Sequence, residues 1–233
     1  MRLARTVEEV MSKFADRPAI AERRTRLVRD PVTSRMALDY EHSYTATTYR
    51  ELWRRANIIA AEFAQNEDHP VHARDKVAFL AFASGDYAAL DLACIRLGAV
   101  TIPLQTTSSD AELAAILAET EPVILAVSPE YLERATPLAL GAPSVRRMVL
   151  FDFHSQVDDH REMVEATRDV LDRNAGPSLT SLVDALERGA GLAEADWPSE
   201  DETHDPLAML IYTFGSTGSP KGAMYIESLA AGM

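Results

Sequence analysis

The apolar positions of this 233-residue chain change rhythm several times, and each change predicts an element. Near the start, Val7, Val10, Met11 and Phe14 recur at helical spacing, and Pro18 follows the expected stop. Residues 19–47 are less regular. Alternation around Ala19–Ile20 and Leu27–Val28 predicts short strands, and residues 44–48 lead towards the next helix. That helix has a marked start: Thr48 and Glu51 fit a capping box, in which hydroxyl and carboxylate satisfy orphan amides reciprocally. Leu52, Ala56, Ile59, Ala60 and Phe63 then form one apolar stripe.

From Lys76 the order becomes repetitive. KVAFLAFA (76–83) is a continuous apolar run, as a strand buried on both faces requires. Residues 86–98 read as a helix closed by Gly98, 99–104 as a strand, and 108–121 as a helix with a second capping box, Ser109 to Glu112. A strand (122–128), a helix (129–140) and a strand (145–151) follow. Strand–helix alternation with short connections predicts an α/β fold, a mostly parallel sheet flanked by helices. Residues 152–205 interrupt it. DFHSQVDDHREMVEATRDVLDRN predicts a surface helix, SLTSLVDALERGAGL another, and WPSEDETHD a solvated acidic turn. PLAMLIYT (206–213) then restores an apolar strand and delivers the chain into YTFGSTGSPKG (212–222).

Composition narrows the functional classes. Acidic residues outnumber basic ones 36 to 23, a formal charge of −13, which argues against nucleic-acid binding through a broad basic face. The single cysteine, Cys94, excludes an internal disulfide and sits in an apolar stretch, as a buried structural thiol would. No run approaches the ~20 apolar residues of a membrane span, and the charged N-terminus lacks a signal-peptide core, so a cytoplasmic location is expected. His154, Asp158, Asp159 and His160 form a cluster of metal-capable types, but on an acidic surface such a cluster is more often hydrated, and no metal site is expected there.

The chemistry concentrates in residues 212–222. Open α/β sheets bind ligands outside the carboxyl ends of their strands. Glycines 215, 218 and 222 permit close backbone approach, and loop amides can form an anion-binding concavity. Thr213, Ser216, Thr217 and Ser219 add hydroxyls and Lys221 a positive charge, a set suited to polyphosphate oxygens. It is not a Walker A loop, because Pro220 precedes the lysine and Gly222 follows it. The glycine spacing also fails the dinucleotide GxGxxG pattern.

IYTFGSTGSPKGAMY (211–225) resembles the phosphate-binding signature YTSGSTGxPKG of the adenylate-forming superfamily of acyl-CoA synthetases, luciferases and peptide-synthetase adenylation domains. The whole chain is similar to the N-terminal part of the adenylation domain of bacterial carboxylic acid reductases. RLARTVEEVMSKFADRPA, TYRELW, DYAALDLACIRLGAVTIPLQTTSS, ILAETEPVILAVS and SVRRMVLFDFH carry that likeness. The resemblance implies ATP and Mg²⁺ as cofactors, and ATP and a carboxylic acid, fatty acids included, as partners that form an acyl-adenylate. In the full-length family, phosphopantetheine then accepts the acyl group and NADPH reduces it. It further implies that Thr213, Ser216, Thr217, Gly218 and Lys221 hold the β- and γ-phosphates, that Gly215 and Gly222 supply backbone freedom, and that no general base is assigned.

Two departures qualify the likeness. Phe214 stands where the family has a small residue, usually serine. The family's later elements, including the lid lysine, the carrier serine and the reductase, are expected beyond Met233, so the isolated chain is expected to be aggregation-prone and unable to complete adenylation. A fragment of an acyl-CoA ligase, or a non-catalytic remnant that at most binds nucleotide, are the competing readings.

Overall fold

Strand β3 (Lys76–Leu80) lies in the middle of a seven-stranded sheet and has apolar side chains on both faces. Val77 and Phe79 point to one layer of helices, Ala78 and Leu80 to the other. The computed structural model describes residues 3–199, 205–214 and 220–232. The sheet continues through β4 (Val100–Pro103), β5 (Ile124–Val127), β6 (Arg147–Leu150), β7 (Ser178–Ser181), β8 (Leu207–Phe214) and β9 (Pro220–Ile226), in the spatial order β7-β6-β5-β3-β4-β8-β9. Every pairing is parallel except β8 with β9.

The two layers follow from the handedness of the crossovers. The link from β3 to β4, through α3 (Gly85–Leu97), runs one way along the sheet; the link from β4 to β5, through α4 (Asp110–Thr120), runs back past β3. Right-handed crossovers in opposite directions must place their helices on opposite faces. Accordingly α3 packs with α1 (Leu3–Lys13), α2 (Tyr49–Gln65) and α7 (Leu182–Gly189) around Ile59, Phe63, Phe79 and Leu90. On the other face α4, α5 (Pro129–Leu140) and α6 (Asp158–Arg173) pack around Leu80, Ile102, Leu117 and Leu132.

Local signals hold where they were strongest. Thr48 and Ser109 both make complete capping boxes, with Glu51 and Glu112. Gly98 ends α3 at φ 68°, the left-handed conformation that favours glycine. Cys94 is buried, and burial raises its thiol pKa well above the ordinary value.

Four expectations are corrected. Residues 19–47 are not short strands but one long antiparallel hairpin, β1 (Pro18–Arg29) with β2 (Met36–Thr48). Most of its side chains are exposed on both faces, so no period-2 burial was written into the sequence. The hairpin is held at its turn by Arg35, which bonds Asp159 and Glu162 of α6, and by the Met36 amide donating to Asp158. Second, SLTS is not helical: it forms edge strand β7, and α7 behind it buries Leu182 and Ala185 rather than lying on the surface. Third, the strand expected at 76–83 stops at Leu80, leaving Phe82 exposed against Tyr131. Fourth, the acidic turn is anchored at its start. Trp197 is sandwiched between the Arg5 and Arg96 guanidiniums, each 3.6 Å from the ring centroid, while Arg96 also donates to the Ala195 and Asp196 carbonyls. Residues 200–204 lie outside the described residues.

The last helix, α8 (Glu227–Ala231), packs against the first: the Leu3 amide donates to the Glu227 carboxylate at 3.2 Å, across 224 positions of sequence.

The α2–α7 contact yields a test. A Cβ at Gly189 would run into the backbone carbonyl oxygen of Ile58, which no rotamer change relieves, whereas a Cβ at Gly191 meets nothing within 4 Å. Gly189→Ala should therefore cost about 1–3 kcal/mol in urea denaturation, and Gly191→Ala should stay within about 0.5 kcal/mol of wild type.

Candidate functional site

The strand order reverses between β3 and β5, the switch point at which open α/β sheets place a ligand crevice, at the carboxyl edge. β8 is parallel to β4, so it carries the chain to that same edge, and residues 215–219 connect its end to β9. The expected loop 212–222 is thus shorter than its sequence suggested. Residues 212–214 and 220–222 belong to a strand ladder, with Tyr212 opposite Gly222, Thr213 opposite Lys221 and Phe214 opposite Pro220.

Of the expected phosphate-binding residues, Thr213 and Lys221 are brought directly side by side, both exposed. Gly215, Ser216, Thr217 and Gly218 lie outside the described residues. Gly222 is present for a different reason from the one expected. Among the described glycines only Gly98 has positive φ, so Gly222 does not supply unusual backbone freedom. A Cβ there would instead lie 3.1 Å from Cζ of Tyr212, whose ring covers the position.

Tyr212 fixes the root of the hairpin from three directions. Its side chain is 3% exposed and packs in the core layer of α4 and α5. Its carbonyl accepts a hydrogen bond from Nε2 of Gln105, in the segment after β4, at 3.2 Å. Its hydroxyl meets Glu119 of α4; burial and that carboxylate push the phenol pKa up to about 12. Neither Gln105 nor Glu119 was singled out from sequence. The available signal was position, since Gln105 comes two residues after β4 at the ligand-binding edge.

A second polar group lies at the carboxyl ends of β3 and β6. Asp152 adopts φ 53°, and its amide donates to Asp86, which also pairs with Arg55. The Gly85 amide donates to Glu22 of β1, fastening the hairpin to the start of α3. Burial raises the Asp152 carboxyl to about 6, and Asp86, Glu22 and Glu130 add to the rise against a hydrogen bond from Ser84. The His154–His160 cluster is turned to structural use. The His154 amide donates to His160 Nδ1, Asp158 accepts from Met36 and Arg161, and Asp159 pairs with Arg35. No group of three or more metal-capable side chains converges among the described residues.

The family model for AMP-binding enzymes matches residues 8–227. The chain belongs to the AMP-binding enzyme family. Within it, this AMP-binding chain is 41% identical over 229 residues to the carboxylic acid reductase of Segniliparus rugosus, covering 97% of the chain and 19% of that protein. It is 43% identical over 227 residues to the carboxylic acid reductase of Mycobacterium tuberculosis, again 97% of the chain and 19% of the relative. Its structure superposes with TM-score 0.92 and 39% identity on the adenylation domain of the S. rugosus enzyme, solved with AMP and a co-purified carboxylic acid, covering 98% of this chain and 36% of that one. The chain therefore spans about a fifth of the length of these curated relatives.

Asp152 gives a pH test. Its folded pKa of about 6 lies above the ordinary 3.8, so the folded state binds the proton more tightly. The ionised carboxylate costs stability above pH 6, and that cost disappears as pH falls from about 6 to 4. Asp152→Asn, which tolerates the same left-handed backbone, should be more stable by about 1–2 kcal/mol at pH 7.5, after discounting for solvent screening. Urea titrations at successive pH values should show the gap closing towards pH 4.5.

Proposed function

We propose that the hairpin tip bounded by Thr213 and Lys221 binds the phosphate tail of ATP, as part of an enzyme of carboxylic acid reductase type that activates carboxylic acids as acyl-adenylates. The observation that carries this reading is the placement of an exposed hydroxyl and an exposed ammonium directly opposite each other where β8 reaches the carboxyl edge. That donor set fits a polyphosphate: lysine supplies a compact positive charge and threonine a neutral donor for oxygens that carry negative charge throughout. Ser216, Thr217 and the backbone of Gly215 and Gly218 complete the proposed set.

Mg²⁺, when bound, would offset the negative charge of the phosphate oxygens, and no residue of this chain is assigned to hold it. The chain's own residues do the positioning. Gln105 and Tyr212 hold the root of the hairpin in register with β4, and the Tyr212 ring crowds any side chain at residue 222. Lys221 stabilises charge that grows on the departing pyrophosphate as a carboxylate attacks the α-phosphate, the electrostatic contribution that dominates such transfers. Phosphopantetheine and NADPH serve later steps of the family's reaction, for which this chain is assigned no residue.

Calorimetric titration of the chain with ATP·Mg²⁺ tests the reading. Lys221→Ala should weaken binding roughly tenfold to a hundredfold, the loss expected for a charge-assisted hydrogen bond. Phe214→Ser, which restores the family's small residue, should tighten it. Equal affinity in wild type and Lys221→Ala would remove the lysine, and with it the phosphate site, from the proposal.

A further inference from the structure

On the opposite, amino edge of the sheet a buried charge is left without a full set of partners. Arg147 opens β6, its side chain 1% exposed, and its Nη2 bonds both oxygens of Glu62 at 2.9 Å. Nε and Nη1 have no hydrogen-bond partner. The guanidinium carbon lies 5.3 Å from the centroid of the Phe63 ring, which offers a π face and no lone-pair acceptor. Glu62 does not belong to Arg147 alone: it also accepts from Arg188 of α7 and from Nδ2 of Asn66. Two guanidiniums thus share one buried carboxylate, and burial acts against the Arg147 charge.

This group lines a cavity of about 500 Å³ at the end of α2, a volume within the usual range for small-molecule sites. Its floor is the sheet. Ser178 is the direct cross-strand neighbour of Arg147, and Thr180 that of Val149, so both hydroxyl residues lie on one face of edge strand β7 and line the same cavity. Glu67 and Asp68 also line it, but they are exposed. Solvent and salt screen these charges, and the half-exposed Arg188 with them, more than the buried Arg147–Glu62 pair.

We propose that this cavity binds a small oxyanion, a carboxylate or a phosphate, held by Arg188 and the hydroxyls of Ser178 and Thr180 as the second counter-charge to the Arg147–Arg188 pair. The site is separate from the glycine-rich hairpin, which lies at the other end of the strands, and it stands independently of the ATP reading.

The test is an ¹⁵N NMR titration of the chain with sodium phosphate and, in a second arm, sodium acetate, each at constant ionic strength. Saturable shifts at the Ser178, Thr180 and Arg188 amides are expected in at least one arm, and the responding arm tells phosphate from carboxylate. The shifts should survive in Lys221→Ala, which disables the separate hairpin site. Arg188→Gln should weaken the apparent Kd at least about tenfold. Ser178→Ala combined with Thr180→Val leaves every charge in place and should weaken it about threefold to tenfold; this variant decides the matter should Arg188→Gln fail to fold. Absence of saturable shifts in both arms, an unchanged Kd in the Ser178/Thr180 variant, or loss of the response in Lys221→Ala overturns the proposal.

Discussion

A parallel strand buried in mid-sheet can leave neither face in water, and the rest of this structure is arranged around meeting that condition for β3. Its four residues from Val77 to Leu80 are all buried, and they alternate between two cores. One crossover helix must therefore go above and the next below. The same reversal that satisfies burial also parts the connections at the carboxyl edge. The crevice in which this fold class places its ligands is thus a by-product of how the central strand is kept dry.

The elements legible in the sequence were those whose side chains report their surroundings. The two capping boxes record a local energy that does not depend on distant partners, and the 76–80 run and the stripe on α2 record in their apolar side chains which faces are buried. The β1–β2 hairpin was opaque because its side chains are mostly exposed on both faces, so selection had no reason to write an alternation. SLTS at 178–181 was opaque for another reason: four residues at a sheet edge are too short to carry a period, and the adjoining helical pattern swallowed them.

The candidate site divides along the same line. Lys221 and the glycines were visible as residue types. Their arrangement was not, because a run rich in glycine and serine does not announce that its ends form a β ladder. The role of Gly222 could be seen only once the Tyr212 ring was found lying over it. Gln105 and Glu119, which fix Tyr212, sit 107 and 93 positions upstream in the chain, and such distant partnerships leave no local mark.

The bond between the Leu3 amide and Glu227 has a kinetic meaning. Loop closure over so many residues is entropically slow, and contacts of this separation form late. The α1–α8 contact is therefore among the last to close, after α1 has packed on α2 and α3. Met11 and Val7 are covered in that earlier packing, so the bond to Glu227 seats the amino end of a helix whose apolar face is already buried.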